Sequence, residues 1–91
     1  MAGLSVDLVS ADRKVWSGTA RAVSAPSVDG QIGILSGHTP ILAVLRAGTV
    51  RVTTDGAEPF EVHVTGGFVS VDDDLVTVVA DEISPVTGAE G

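Results

Sequence analysis

Apolar and polar residues alternate with a period of two through much of the chain. Leu4, Val6 and Leu8 would face one way and Ser5, Asp7 and Val9 the other, which is the pattern of a half-buried strand. Beyond the polar turn Ala11-Asp12-Arg13, a second extended segment is predicted from residue 14 to about residue 25, with Gly18 a bulge or close backbone approach and Pro26 the stop. Ser27-Val28-Asp29-Gly30-Gln31 reads as a hairpin tip, because an Asx-Gly pair favours the turns that match strand twist, and Gly33 is read as a further positive-φ position. Short strands are then predicted over residues 32–35 and 41–45, separated by Ser36-Gly37-His38-Thr39-Pro40, where Pro40 fixes φ ahead of the apolar run. Gly48 turns the chain into a strand over 49–54, a second Asp-Gly tip follows at Asp55-Gly56, and residues 60–65 return with Phe60, Val62 and Val64 opposing Glu61, His63 and Thr65. Gly66-Gly67 permits a sharp reversal into residues 68–71, and Asp72-Asp73-Asp74 makes a polar turn before residues 75–80.

Strands recurring every ~8–12 residues with short turns imply an all-β fold, an antiparallel β-sandwich or flattened barrel of about 8–10 short strands. No segment carries helical apolar spacing over the ~12 residues a stable helix wants. Composition agrees: 16 valines, 4 isoleucines and 8 threonines suit pleated, half-buried surfaces, whereas lysine and glutamine occur once each. A chain of 91 residues makes one domain. It is assigned to residues 1–82, and the small, acidic tail 83–91 is expected to be loose.

Five basic against twelve acidic side chains leave a net charge of −7, and only Arg13-Lys14 are adjacent among the cations. Neither a nucleic-acid groove nor a polybasic membrane patch is expected of such a chain. An apolar run of ~18 residues and a secretory leader are both missing, so no direct membrane insertion and a soluble, intracellular protein are expected. There is no cysteine, which excludes disulfides and thiolate metal sites.

Candidate chemistry is sparse. His38 sits in a glycine-flanked loop and reads as either a backbone-bonded loop residue or a contact; His63 alternates with Glu61 and Thr65 on a polar strand face. The three consecutive aspartates lack the alternating ligands of a calcium loop and read as a solvated turn. Nucleophile elbow and phosphate loop are likewise absent, so no enzyme, catalytic residue, cofactor, metal or small-molecule substrate is assigned. Trp16, Phe60 and Phe68 are too few for a base-stacking platform and are expected in the core, with Trp16 also able to cover one end or meet a partner. Ile41–Leu45 is continuously apolar and is either buried on both faces or exposes one to another protein.

The order of these signals, Asp29-Gly30-Gln31-Ile32-Gly33-Ile34-Leu35, then Gly37-His38-Thr39-Pro40, then Gly48-Thr49-Val50, resembles the epsilon subunit of rotary ATP synthases over about residues 4–82. The hairpins on either side, 4–18 and 64–81, agree. The resemblance implies the N-terminal β-sandwich of a non-catalytic central-stalk subunit, whose partners are the gamma subunit and the c-ring, peripheral on the cytoplasmic face of the bacterial plasma membrane. It places ring contacts at Asp29, Gly30, Gln31, Ser36, Gly37 and His38, and gamma contacts at Ser10, His38, Ile41, Leu42 and Ala43. Many relatives carry glutamate in place of Gln31 and proline in place of Ser36, which implies a contact without charge and a less rigid loop here. Longer members continue into an inhibitory two-helix hairpin; this chain stops before it, so a nucleotide-sensing or helix-inserting role is not expected. Two other classes compete: a free-standing sandwich that binds a peptide or sugar, and a metal protein or enzyme using His38 and His63 with an aspartate.

Overall fold

The computed structural model describes residues 3–54 and 58–85. Ten strands follow in chain order: β1 (Leu4–Val9), β2 (Lys14–Ala20), β3 (Ala22–Ser27), β4 (Gly30–Leu35), β5 (Ile41–Leu45), β6 (Gly48–Thr53), β7 (Phe60–Val64), β8 (Gly67–Asp72), β9 (Leu75–Ala80) and β10 (Ile83–Pro85). They hydrogen-bond in the order β10-β7-β6-β3-β5-β8-β9-β1-β2, with β4 added to β3. This path bends into a nearly closed, barrel-like β-sandwich, and the all-β expectation holds. Every pairing but one is antiparallel. β1 runs parallel to β9, from Ser5 opposite Leu75 to Val9 opposite Val79, because the β1–β2 hairpin inserts its first strand against β9 rather than its second.

The predicted alternation does its work through valine. Leu4, Val6 and Leu8 of β1, Val69 and Val71 of β8, Val76 and Val78 of β9, Val50 and Val52 of β6, and Val23 and Ile34 of β3 and β4 all turn into one core and are essentially inaccessible. Each such side chain contributes roughly 1.5–3 kcal/mol by leaving water. The stiff β-branched rotamer also suits a thin space between two curved sheet faces.

β3 forms the corner. Its first half, Ala22 to Ser24, pairs with Thr53 to Arg51 of β6, whereas Ser27 pairs with Leu45 of β5. At the hand-over Pro26 offers no N–H; its carbonyl accepts from Arg46 N–H at 3.0 Å, and Val28 N–H donates to the Val44 carbonyl at 2.9 Å. A Cβ on Gly48 would stand 3.0 Å from the Pro26 ring, so β6 approaches the corner closely because it begins with glycine.

Several local expectations change. Pro26 does not end the strand but lies within β3, opposite Gln31, where the missing N–H coincides with the change of partner. The predicted long second strand is two strands broken at Arg21, whose N–H turns to the Thr53 carbonyl at 2.7 Å. Gly18 is a close approach, its Cα beside the Trp16 ring, while the register shift falls at Leu8/Val9. Gly33 is ordinary strand backbone, without positive φ. Ile83-Ser84-Pro85, expected loose, pair with Val64-His63-Val62 as β10 because the Thr65 hydroxyl captures Glu82 N–H at 3.0 Å and starts the pairing. Asp55-Gly56 and the tail from residue 86 onward lie outside the described residues.

The reversal at Gly66-Gly67 is as expected, with φ of 128° and 138°. At Gly67 a Cβ would stand within 2.7 Å of Ala80 Cα and collide with the Val79 carbonyl. Gly67→Ala is therefore expected to cost about 3 kcal/mol or more in urea unfolding. Gly33→Ala, which meets open space at an allowed φ, should change stability by no more than about 1 kcal/mol, with stabilisation the expected sign.

Candidate partner-binding surfaces

The chain leaves β4 through Ser36-Gly37-His38, a turn closed by His38 N–H donating to the Leu35 carbonyl at 3.1 Å, with Gly37 at φ 84°. His38 Nδ1 lies 2.6 Å from the Thr39 carbonyl oxygen. Because that oxygen can only accept, Nδ1 carries the hydrogen in this contact. The loop is also held by the adjoining β8–β9 turn. Between the paired residues Asp72 and Leu75, the two-residue turn Asp73-Asp74 has φ of 54° and 63°, as a type I′ hairpin requires. The Asp74 carboxylate accepts Gly37 N–H at 2.7 Å and the Ser36 hydroxyl at 3.2 Å. The aspartate run is thus a turn as predicted, but Asp74 is not merely solvated. Together with His38 and Pro40 the three aspartates border an open polar notch.

The other predicted ring segment is the β3–β4 tip. The Ser27 side chain, 3% exposed, donates to the Gly30 carbonyl at 2.6 Å and accepts Asp29 N–H at 3.2 Å. Gly30 takes φ 128°, and Val28-Asp29 form the tip that displays Gln31 to solvent. Asp29-Gly30-Gln31 and Ser36-Gly37-His38 do not form one patch; the four strand residues 32–35 separate them, about 17 Å of extended chain from Gln31 to Ser36. They do bracket one edge, since among the described residues β4 pairs with β3 alone.

The residues nominated for gamma also divide. Alternation along β5 turns Ile41 and Ala43 toward the core and sends Leu42 and Val44 outward, 73% and 57% exposed. Sequence reasoning missed the rest of that face. Val44 pairs with Phe68, and Phe68 with Val79, so these side chains share one outer row, and Val28, 57% exposed, adjoins it through its bond to Val44. Phe68, expected in the core, is 43% exposed there because its place in β8 alternates with Val69 and Val71. The signal was the apolar residue out of phase: Val44, Phe68 and Val79 fall on the positions that ought to be polar. Trp16 instead packs edge-on against Phe60, with ring centroids 4.9 Å apart. Ser10 lies far from His38, at the opposite end of β1, nearly buried, with its hydroxyl bonded to the Arg13 carbonyl at 3.1 Å.

A second concavity of about 370 Å³ lies on the outer face of β3, β4 and β6, floored by Ala22, Ser24 and Gly33 and walled by Leu35 and Arg51. Arg51 is ion-paired across the strands with Glu61 at 3.0 Å. The histidines are not brought together: His63 is exposed on β7 between Thr49 and Ser84. What these surfaces can do is bind, through an apolar outer row, an open strand edge and a braced polar loop.

The described residues thus define a small, barrel-like β-sandwich domain whose distinctive features are its outer surfaces. The chain matches the model of the ATP synthase delta/epsilon chain β-sandwich domain over residues 3–86, and it belongs to that family. It is 52% identical over 80 residues to an ATP synthase epsilon chain of Micrococcus luteus, covering 88% of each chain. It is 46% identical over 81 residues to the epsilon chain of Chromohalobacter salexigens, but spans only 57% of that chain's length. Among solved structures, a chain of the Euglena gracilis mitochondrial ATP synthase superposes with a TM-score of 0.88 at 24% identity, over 93% of this chain and 54% of that one. A chain of the Tetrahymena thermophila mitochondrial ATP synthase central stalk and c-ring gives 0.75 at 16% identity, over 90% and 66%. The two solved chains share the fold.

The β3–β4 tip depends on one nearly buried hydroxyl. Ser27→Ala strands the Gly30 carbonyl and Asp29 N–H, and is expected to destabilise by about 1–2 kcal/mol in urea unfolding while leaving the outer row of β5 and β8 in place.

Proposed function

We propose that this chain is the β-sandwich of a non-catalytic central-stalk subunit in a proton-translocating ATP synthase, attaching gamma to the c-ring. It works at the cytoplasmic face of the bacterial plasma membrane and without a cofactor. The observation that carries this reading is the exposed apolar row Val28, Val44 and Phe68, joined by Leu42 of the next row. A chain with formal charge −7 has ample polar residues for solvent, so a contiguous apolar row on one sheet face marks a docking surface. We assign it to gamma, with Leu42 the nominated residue that lies on it.

The ring contacts follow a different geometry. Asp29-Gly30-Gln31 and Ser36-Gly37-His38 lie at opposite ends of β4, so a partner that meets both must lie along the open β4 edge. A broad ring rim has that extent, and so does an extended peptide of about five residues; the likeness to epsilon chains favours the ring. Mechanical coupling then needs only that the domain not deform between its two partners. A bent sheet in which seven of the ten strands have at least two neighbours, closed over a valine core, resists shear because displacement would break a whole ladder at once.

Co-purification with a tagged gamma subunit from the same source tests the apolar row. Leu42→Asp and Phe68→Asp should each weaken the complex about thirtyfold or more while circular dichroism stays that of the wild type, since both side chains point outward. A folded wild-type chain that binds no gamma would overturn the reading and favour a free-standing binding module. For the ring, Gln31→Lys combined with His38→Asp should lower retention on the purified c-ring; full retention with normal coupling would remove these segments from the interface.

A further inference from the structure

The loop that carries His38 is fastened to the adjoining β8–β9 turn by a residue outside every nominated contact set. Asp74 is 37 positions from Gly37, yet its carboxylate receives Gly37 N–H at 2.7 Å through one oxygen and the Ser36 hydroxyl at 3.2 Å through the other. Its own carbonyl accepts Ser5 N–H at 2.9 Å, so the turn that holds Asp74 is tied to β1 and through it to the core. We propose that Asp74 is the positioning residue of the 36–38 loop, fixing the direction in which His38 is presented to its partner. The proposal rests on the reading of that loop as a ring contact.

Its side-chain bonds separate Asp74 from its neighbours. A type I′ turn accepts Gly, Asn or Asp where φ is positive, and Asp73 and Asp74 both satisfy it. Only Asp74 sends its side chain back to the loop; Asp72 and Asp73 are exposed. Hydrogen bonds to an ionised carboxylate are shorter and about twice as strong as neutral ones, and two from adjacent loop residues fix both position and orientation. Gly37, at φ 84°, is the point where the chain would otherwise swing, and it is the residue whose amide is held. Once it is fixed, the bond from His38 N–H to the Leu35 carbonyl and that from Nδ1 to the Thr39 carbonyl set the placement of the His38 backbone and ring.

The test separates the clamp from the fold and from the contact. Asp74→Gly removes the carboxylate at a position where φ 63° suits glycine, so the melting temperature should stay within a few degrees of wild type. Hydrogen exchange at the Gly37 amide should quicken about tenfold or more, and retention on the purified c-ring should fall toward that of His38→Asp. Asp74→Asn, which keeps one acceptor oxygen and can donate to Ser36, should recover part of both. An unchanged Gly37 amide in Asp74→Gly would overturn the clamp whatever the ring does. A loosened Gly37 with full ring retention, in an assay where His38→Asp does lose retention, would overturn the positioning role while leaving the contact intact. Full retention by both variants would remove the ring contact itself, and the positioning role with it.

Discussion

The fold depends on one strand belonging to two layers. β3 pairs along one side with β4, and along the other it exchanges β6 for β5 between Ser24 and Ser27. A flat sheet of this length would leave its valine face in water; the corner lets the face close on itself. Pro26 stands at the point where a ladder N–H would have no partner, and Gly48 stands where a side chain would push β6 off the corner. The inner row Val23, Val50, Val52, Val69, Val71, Val76 and Val78 is dry only because that bend exists.

Closure also explains how a domain of this size can hold three separate surfaces. Inward positions on β5 and β8 are taken by Leu45, Val69 and Val71, which leaves the alternate positions free to carry an apolar outer row without loss to the core. β4 lies off the main path, paired to β3, and keeps one edge open among the described residues. The loop after β4 is braced by the β8–β9 turn, so the end of this strand is anchored to the rigid layer.

Much of the architecture was legible in the chain. Strand patterning and turn signals placed eight extended segments, which cover nine of the strands because 14–25 divides into two, and turn glycines marked the reversals at 30 and 66–67. What escaped reading was non-local. The parallel partner of β1 lies about seventy residues away, the start of β10 depends on the Thr65 hydroxyl, and Pro26 is tolerated only because β3 changes neighbours there. The candidate site followed the same division. The family resemblance named the β3–β4 tip and the 36–38 loop, and the apolar run 41–45, read with that resemblance, named Leu42. Phe68 required knowing which face of β8 is outside, and the two carboxylate bonds of Asp74 could not be read from a run of three aspartates.

The parallel pairing of β1 with β9 sets an order on synthesis. β1 can form its hairpin with β2 as soon as residue 20 is made, yet its second neighbour is not complete until residue 79. Through most of translation the first hairpin therefore presents an unpaired inner edge beside Leu4, Val6 and Leu8. The last long strand to emerge is the one that seals it, so the sandwich cannot close piecemeal from its N-terminus, and its high share of long-range pairing favours a slow, late, all-or-none step. A chain arrested before β9 would be a nascent sheet with an exposed aliphatic edge, and its hazard on the ribosome would be association with a neighbouring chain of the same kind.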